Sequence, residues 1–298
     1  MQAEPPAPSQ VSEAEPRRRW RWARRASAGE RSLGKSSLGR GRTLVIRSAF
    51  ITTTLAIVAT VIGVTLSPAA GTAAGPALPD AQPGQLAAVG AVFTIAGGKL
   101  QSHFCSGSVV DSPSGDLVLT AAHCMSDRTA SQLAFVPDFY NGHAPYGVWL
   151  VSRIIVDQNW QSSSDPDDDF AFLVVHKHGS KVSLEDLVGG ERVAIGAPAG
   201  ATVTVEGYPA DLNAQISCQN TALAFGTTQL QFNCGGYTDG TSGGPFLVNL
   251  MGPDGPGTVI GVIGGYELGG STPSVSYAAR FGPSMEVLYQ TALAEAGT

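Results

Sequence analysis

After residue 88 the hydrophobic positions fall in short runs separated by turn residues. AVGAVFTI (88–95), GSVVD (107–111), DLVLTAA (116–122), GVWLVSRIIV (147–156) and FAFLVV (170–175) mark the first half. ERVAI (191–195), ATVTVEGY (201–208), QLQF (229–232), GPFLVNL (244–250) and GTVIGVIGGY (257–266) continue the series. Short apolar runs punctuated by Gly, Pro, Asn and Asp predict β-strands. A helical period emerges at the end of the chain, in SMEVLYQTALAEA (284–296). There Ser284 reads as a cap, with Met285, Val287, Leu288 and Leu293 on one stripe. The pattern predicts an all-β domain closed by a C-terminal α-helix. A sandwich and one or two barrels share this pattern, so periodicity leaves them open.

Upstream the pattern changes. Residues 49–66 are uncharged and mostly apolar, Arg47 precedes them, and the small residues Ser67 to Ala74 follow. A basic segment, an apolar stretch and a small-residue exit predict a secretory signal. Thr72-Ala73-Ala74 fits the cleavage pattern and puts the mature start near Gly75. The alternative is an uncleaved anchor through 49–66. The basic segment is long for a signal, which raises an alternative start at Val45. Arg17-Arg18-Arg19 lies too far upstream for twin-arginine export. The organisation expected is a leader over 1–74, a linker or short pro-segment over 75–88, and a folded domain over 89–298.

Charge divides the same way. Residues 1–74 hold 11 Lys/Arg against 4 Asp/Glu, net +7, whereas residues 75–298 hold 7 against 20, net −13. An acidic body with a removable basic leader argues against a nucleic-acid partner. With 37 Gly and 19 Pro the chain is too turn-rich for a helical bundle. Cys105, Cys124, Cys218 and Cys234 all lie in the exported part, an even number that favours two disulfides. Three connectivities are open, of which the neighbouring pairs 105–124 and 218–234 are preferred. No C-x-x-C spacing points to zinc.

Three local patterns carry chemistry. In Val118-Leu119-Thr120-Ala121-Ala122-His123-Cys124 a strand delivers a histidine into a small-residue turn beside a cysteine. In Asp169-Phe170-Ala171-Phe172-Leu173 an acid directly precedes an apolar strand, where it can be enclosed and orient an imidazole. Its neighbours Asp165, Asp167 and Asp168 read as a solvated turn, since the glycine and distal Glu of a calcium loop are missing. In Thr238-Asp239-Gly240-Thr241-Ser242-Gly243-Gly244-Pro245 a serine is ringed by glycines. The amides of Gly240 and Ser242 can there converge on one spot, as an oxyanion requires. His143, His176 and His178 read as ordinary surface or core histidines.

Together these blocks resemble the chymotrypsin/trypsin-like serine peptidases, and in particular their bacterial secreted branch. His103-Phe104-Cys105-x-Gly107-Ser108, the TAAHC block and the T-S-G-G-P block match that family in order, over roughly residues 88–290. The resemblance implies two packed six-stranded antiparallel β-barrels with the active site between them. It also implies Ser242 as nucleophile, His123 as general base and then acid, and Asp169 as the residue holding the imidazole. Polypeptide substrates, a monomer, no cofactor and no metal follow from the same mapping, with the membrane met only through the signal peptide.

The chain departs from animal members in ways that bear on activation and specificity. Thr241 stands where they carry an Asp, and no I-V-G-G follows the leader; Ala88-Val89-Gly90-Ala91 comes nearest. A site that forms without a new N-terminus is therefore expected. The base of the specificity pocket falls on Gly236, six residues before the serine, so preference for Arg or Lys before the cut bond is not expected. Tyr237 would limit the pocket, and Gly264, Gly265 and Tyr266 would form a strand that pairs with the substrate backbone. Cys234 lies eight residues before the serine, unlike the usual animal disulfide. The leading expectation is a secreted endopeptidase. A catalytically silent fold that binds a partner, and a protease tethered through 49–66, are the alternatives.

Overall fold

The computed structural model describes residues 82–84, 86–252 and 255–297. The leader, its apolar segment and the cleavage point near Gly75 lie outside the described residues. Among the described residues no helix is long and apolar enough to cross a membrane. The described chain opens in β1 (Gln82–Pro83), which pairs antiparallel with a strand of the second half. Leu86 and Ala88 are buried. The segment read as a linker thus joins the fold before residue 89, because its apolar side chains find a place in the core.

The first half is a closed barrel. β2 (Val89–Ala96), β3 (Lys99–Val110), β4 (Leu117–Thr120), β5 (Leu133–Pro137), β6 (Trp149–Val156) and β7 (Ala171–His176) close in the order β2-β3-β4-β7-β6-β5. The β2–β3 hairpin turns on Gly97 and Gly98, at φ +58° and +73°. A two-residue hairpin turn needs such angles at both positions, and glycine supplies them without a Cβ penalty. Val92, Val118, Phe135, Trp149 and Leu173 pack within the barrel. Two short helices, α1 (Gln158–Ser163) and α2 (Leu184–Val188), are capped by the side chains of Asp157 and Ser183.

The second half comprises β8 (Arg192–Val193), β9 (Thr202–Gly207), β10 (Ile216–Thr221), β11 (Leu223–Phe225), β12 (Gln229–Asn233), β13 (Pro245–Val248), β14 (Thr258–Val262) and β15 (Val275–Ala279). One sheet runs β1-β10-β9-β13-β14-β8 and a second runs β11-β12-β15. Both face a single core that includes Val205, Phe232, Phe246, Ile260 and Ala278. The pairing is antiparallel except where β8 meets β14. The all-β architecture expected from the resemblance is the one observed.

The closing helix α3 (Pro283–Ala296) begins one residue earlier than the pattern suggests. Gly282 is its N-cap and Pro283 occupies the first turn, so Ser284 lies inside the helix and caps nothing. Met285, Leu288 and Ala292 are buried, whereas Val287 is 66% exposed. At 3.6 residues per turn Val287 lies roughly 200° round the helix from Met285, so the period itself sets it opposite the buried stripe, while Tyr289 on the inner side stacks on Phe172 at 5.4 Å. The disulfides are Cys105–Cys124 and Cys218–Cys234, the neighbouring pairs.

Candidate active site

The site is assembled from three turns that follow or precede strands. β4 ends at Thr120, and the buried Ala121 and Ala122 lead into a 3-10 turn over His123–Met125. The disulfide from Cys124 to Cys105 ties that turn to β3. Asp169 follows the short 3-10 turn Pro166–Asp168, just ahead of β7, and is fully buried. Its Oδ1 accepts the His123 backbone N–H at 2.8 Å, and its Oδ2 accepts the His123 Nδ1 hydrogen at 2.7 Å. A third donor, the Gly265 N–H, reaches Oδ2 at 2.8 Å. An enclosed carboxylate with three N–H donors orients the imidazole and leaves Nε2 as the ring's acceptor.

The acidic turn is less solvated than its sequence suggests. Asp168 is buried and accepts from Asn159 Nδ2 at 3.0 Å. Asp167 accepts from Gln229 Nε2 at 2.6 Å. Gln229 also donates to Pro166 O at 3.1 Å and takes the Tyr266 N–H at 3.1 Å. It therefore locks the turn that carries Asp169 to the segment after β14. Nothing local to Gln229 signals this role, because its partners lie about 40 to 60 residues away in sequence.

Ser242 sits on the third turn, between Gly240 at φ +96° and Gly243 at φ +82°. Gly243 fits because it has no side chain: a methyl group there would overlap Ser106 O and Thr120 Oγ1 and lie 3.0 Å from Ala121 N. The serine turn thus rests directly on the chain that leads to His123. Within the turn, Thr241, Gly243 and Gly244 donate their N–H groups to Thr238 O, Ile263 O and Thr241 O. Among the described residues the N–H groups of Gly240 and Ser242 have no protein acceptor. Two unspent donors beside a serine are what binding an oxyanion requires.

Comparison with known proteins accords with this arrangement. The family pattern described as Trypsin matches residues 80–283. The chain belongs to the trypsin family. Among solved structures it is similar to the protease Anisep from Arthrobacter nicotinovorans, at 28% identity over 72% of this chain and 99% of that one, with a TM-score of 0.61. A thermostable serine protease, AL20, from an extremophilic microorganism is 27% identical over 70% and 97% of the two chains, with a TM-score of 0.59. A Glu endopeptidase at 16% identity (72% and 97% covered, TM-score 0.54) shares the fold. Among curated protein sequences none matches. The fold and these neighbours make this trypsin-family chain a serine peptidase acting on polypeptides.

Beside Ser242 lies a cavity of about 520 Å³ whose lining includes Tyr237, Thr241, Ile263 and Ser276. Tyr237 forms part of the wall, but its hydroxyl turns into the core and donates to Val205 O at 2.6 Å. Gly236, at φ +98°, lies next to the cavity in sequence but does not line it. The strand expected over Gly264–Tyr266 is absent, since β14 ends at Val262 and Gly265 turns the chain at φ +77°. Gly264 N donates to Tyr277 O and Gly265 N to Asp169, so these donors serve the fold. The Gly264 carbonyl retains no protein donor among the described residues. Tyr266 is 41% exposed, its ring 4.9 Å from Phe225 and 5.0 Å from Tyr277.

Cys105, Cys124 and His123 come within 4.8 Å of one another, a metal-like grouping. Both sulfurs are spent in the disulfide, so neither can be the thiolate that a metal needs. Two buried acids, Glu206 behind the serine turn and Glu191 beside Gly257, are announced by no local motif. Burial pushes the Glu206 carboxyl up to about 8 and that of Glu191 up to about 7. The Glu206 backbone carbonyl sits directly under Gly244. Burial also lowers His103, whose Nε2 lies 3.1 Å from Leu212 O.

Proposed function

We propose that this chain is an extracellular serine endopeptidase with Ser242, His123 and Asp169 as its triad. The observation that supports this most directly is the seat of the serine turn on Thr120–Ala121, two residues from a histidine doubly bonded to a buried acid. His123 Nε2 takes the proton of Ser242 Oγ as that oxygen bonds to the scissile carbonyl carbon. The carbonyl oxygen becomes an anion, which the N–H groups of Gly240 and Ser242 stabilise. His123 then passes its proton to the departing amine as the C–N bond breaks. Water, deprotonated by the same imidazole, hydrolyses the acyl-enzyme.

Asp169 holds the Nδ1–H tautomer and stabilises the imidazolium that forms. Thr241 donates to Thr238 O within the serine turn, a local brace that supports a site formed without a new N-terminus. Two disulfides accord with an oxidising compartment outside the cell. The buried lining of the cavity carries no formal charge, which suits an uncharged side chain before the cut bond.

The test is labelling of the purified protein with a fluorophosphonate probe, followed by mass spectrometry. Labelling at Ser242 that His123→Ala abolishes is the expected result. A folded sample that takes up no label overturns the assignment and leaves a binding protein.

A further inference from the structure

The cavity beside Ser242 is neutral within and acidic at its mouth. Its buried walls carry no charge, but Asp211 and Asp239 line the same cavity and both are exposed. Among the described residues neither carboxylate has a hydrogen-bond or ion-pair partner in the protein, and no Lys or Arg lines the cavity. Two unpaired negative charges beside a reacting centre form a fixed field that a substrate must match.

Backbone contacts establish on which side of the serine they stand. One flank of the serine turn is Ile263–Gly265, joined to it by Gly243 N–H to Ile263 O at 2.7 Å and packed on Asp169. The other flank is 208–212. Ala210 N donates to Asp239 O at 2.7 Å, and Gly240 packs on Tyr208 O and Ala210. That flank also reaches β3, where His103 Nε2 meets Leu212 O. A peptide whose acyl part uses the open Gly264 carbonyl must send its leaving part across Gly240 toward 208–212. The acidic pair therefore meets the leaving part, while the neutral interior holds the residue before the bond.

We propose that Asp211 and Asp239 select substrates carrying Lys or Arg immediately after the cut bond. The proposal rests on the reading of Ser242 as nucleophile, and it adds the residue that follows the bond to the uncharged one that precedes it. Exposed charges of this kind each change binding modestly, so the two together give about a tenfold preference for Lys over Gln. The preference shrinks as salt screens the pair.

The experiment digests a peptide library with the protein and maps the cut bonds by mass spectrometry. Enrichment of Lys and Arg at the first position after the cut by about tenfold, with depletion of Asp and Glu there, is expected. In the Asp211→Asn/Asp239→Asn double variant the enrichment falls toward background. Glu286→Gln, which removes one negative charge from the exposed face of α3, leaves it in place. No enrichment in the unaltered protein, or enrichment that persists in the double variant, overturns the proposal. Fluorophosphonate labelling of the same preparation separates the two failures. Label on Ser242 without enrichment sinks the acidic mouth alone; no label sinks the peptidase reading as well.

Discussion

Ser106 on β3 grips the Ser242 turn from the opposite half of the molecule. Its N–H donates to Ser242 O at 2.7 Å, and its hydroxyl donates to Gly240 O at 2.9 Å while accepting from Tyr208 N at 2.8 Å. Its carbonyl takes the Thr120 hydroxyl at 2.7 Å, so the strand bearing the histidine joins the same bracket. One buried serine thus couples the histidine strand, the serine turn and the 208–212 flank.

Ser106→Ala should expose this coupling. The variant leaves Gly240 O and Tyr208 N without their buried partner, at a cost of about 1–3 kcal/mol. The urea midpoint is expected to fall, and the rate of fluorophosphonate labelling to fall with it. A stability and labelling rate equal to the parent would show that the bracket is dispensable.

Asp169→Asn tests the acid. An amide in place of the carboxylate removes the anion that holds Nδ1–H and stabilises the imidazolium, so kcat is expected to drop about 10⁴-fold. Thermal melting should show the variant still folded, since the replacement is nearly isosteric. Peptide hydrolysis within tenfold of the parent would remove Asp169 from the triad.

Two glycines with the same backbone angle make a matched pair. Gly243 and Gly142 both sit at φ +82°, but a methyl group at Gly142 meets nothing within 4 Å. Both alanine variants pay the strain of a left-handed conformation, about 1 kcal/mol. Gly243→Ala must also push Ser106 and Thr120 aside, and should lose more than a hundredfold in kcat/KM, roughly the cost of misplacing a reacting group by 1 Å. Gly142→Ala should keep the parent rate.

Glu206 predicts a pH dependence of stability. Its folded pKa of about 8 lies above the unfolded value near 4.5, so the folded protein holds this proton more tightly. The stability tied to that proton is complete below pH 4.5 and is lost as the pH rises through 8. The urea midpoint should therefore be higher at pH 5 than at pH 8. Glu206→Gln should flatten the difference by raising the value at pH 8, and an unchanged slope in that variant would assign the dependence to other groups such as Glu191.

The sequence by itself determined whatever rests on a run of adjacent residues. The strands follow from short apolar runs, and the closing helix from its period. The His123 and Ser242 blocks were legible because each turn needs its own small residues on either side, and the Asp169 block because an acid directly precedes an apolar strand. The neighbouring disulfides were the preferred pairing for the same reason of closeness along the chain.

Tertiary structure decided what depends on partners distant in sequence. Ser106 meets Gly240 across 134 positions, and Gln229 meets Asp167 across 62, with no periodic signal at either end. The turn at Gly265 replaced an expected strand because Asp169, 96 positions away, takes its N–H. Asp211 belongs to a turn without a motif of its own and Asp239 to the serine block, and only the fold sets the two on one cavity. Local propensity writes turns and periods into the chain, whereas long-range packing selects which of the many compatible neighbours meet.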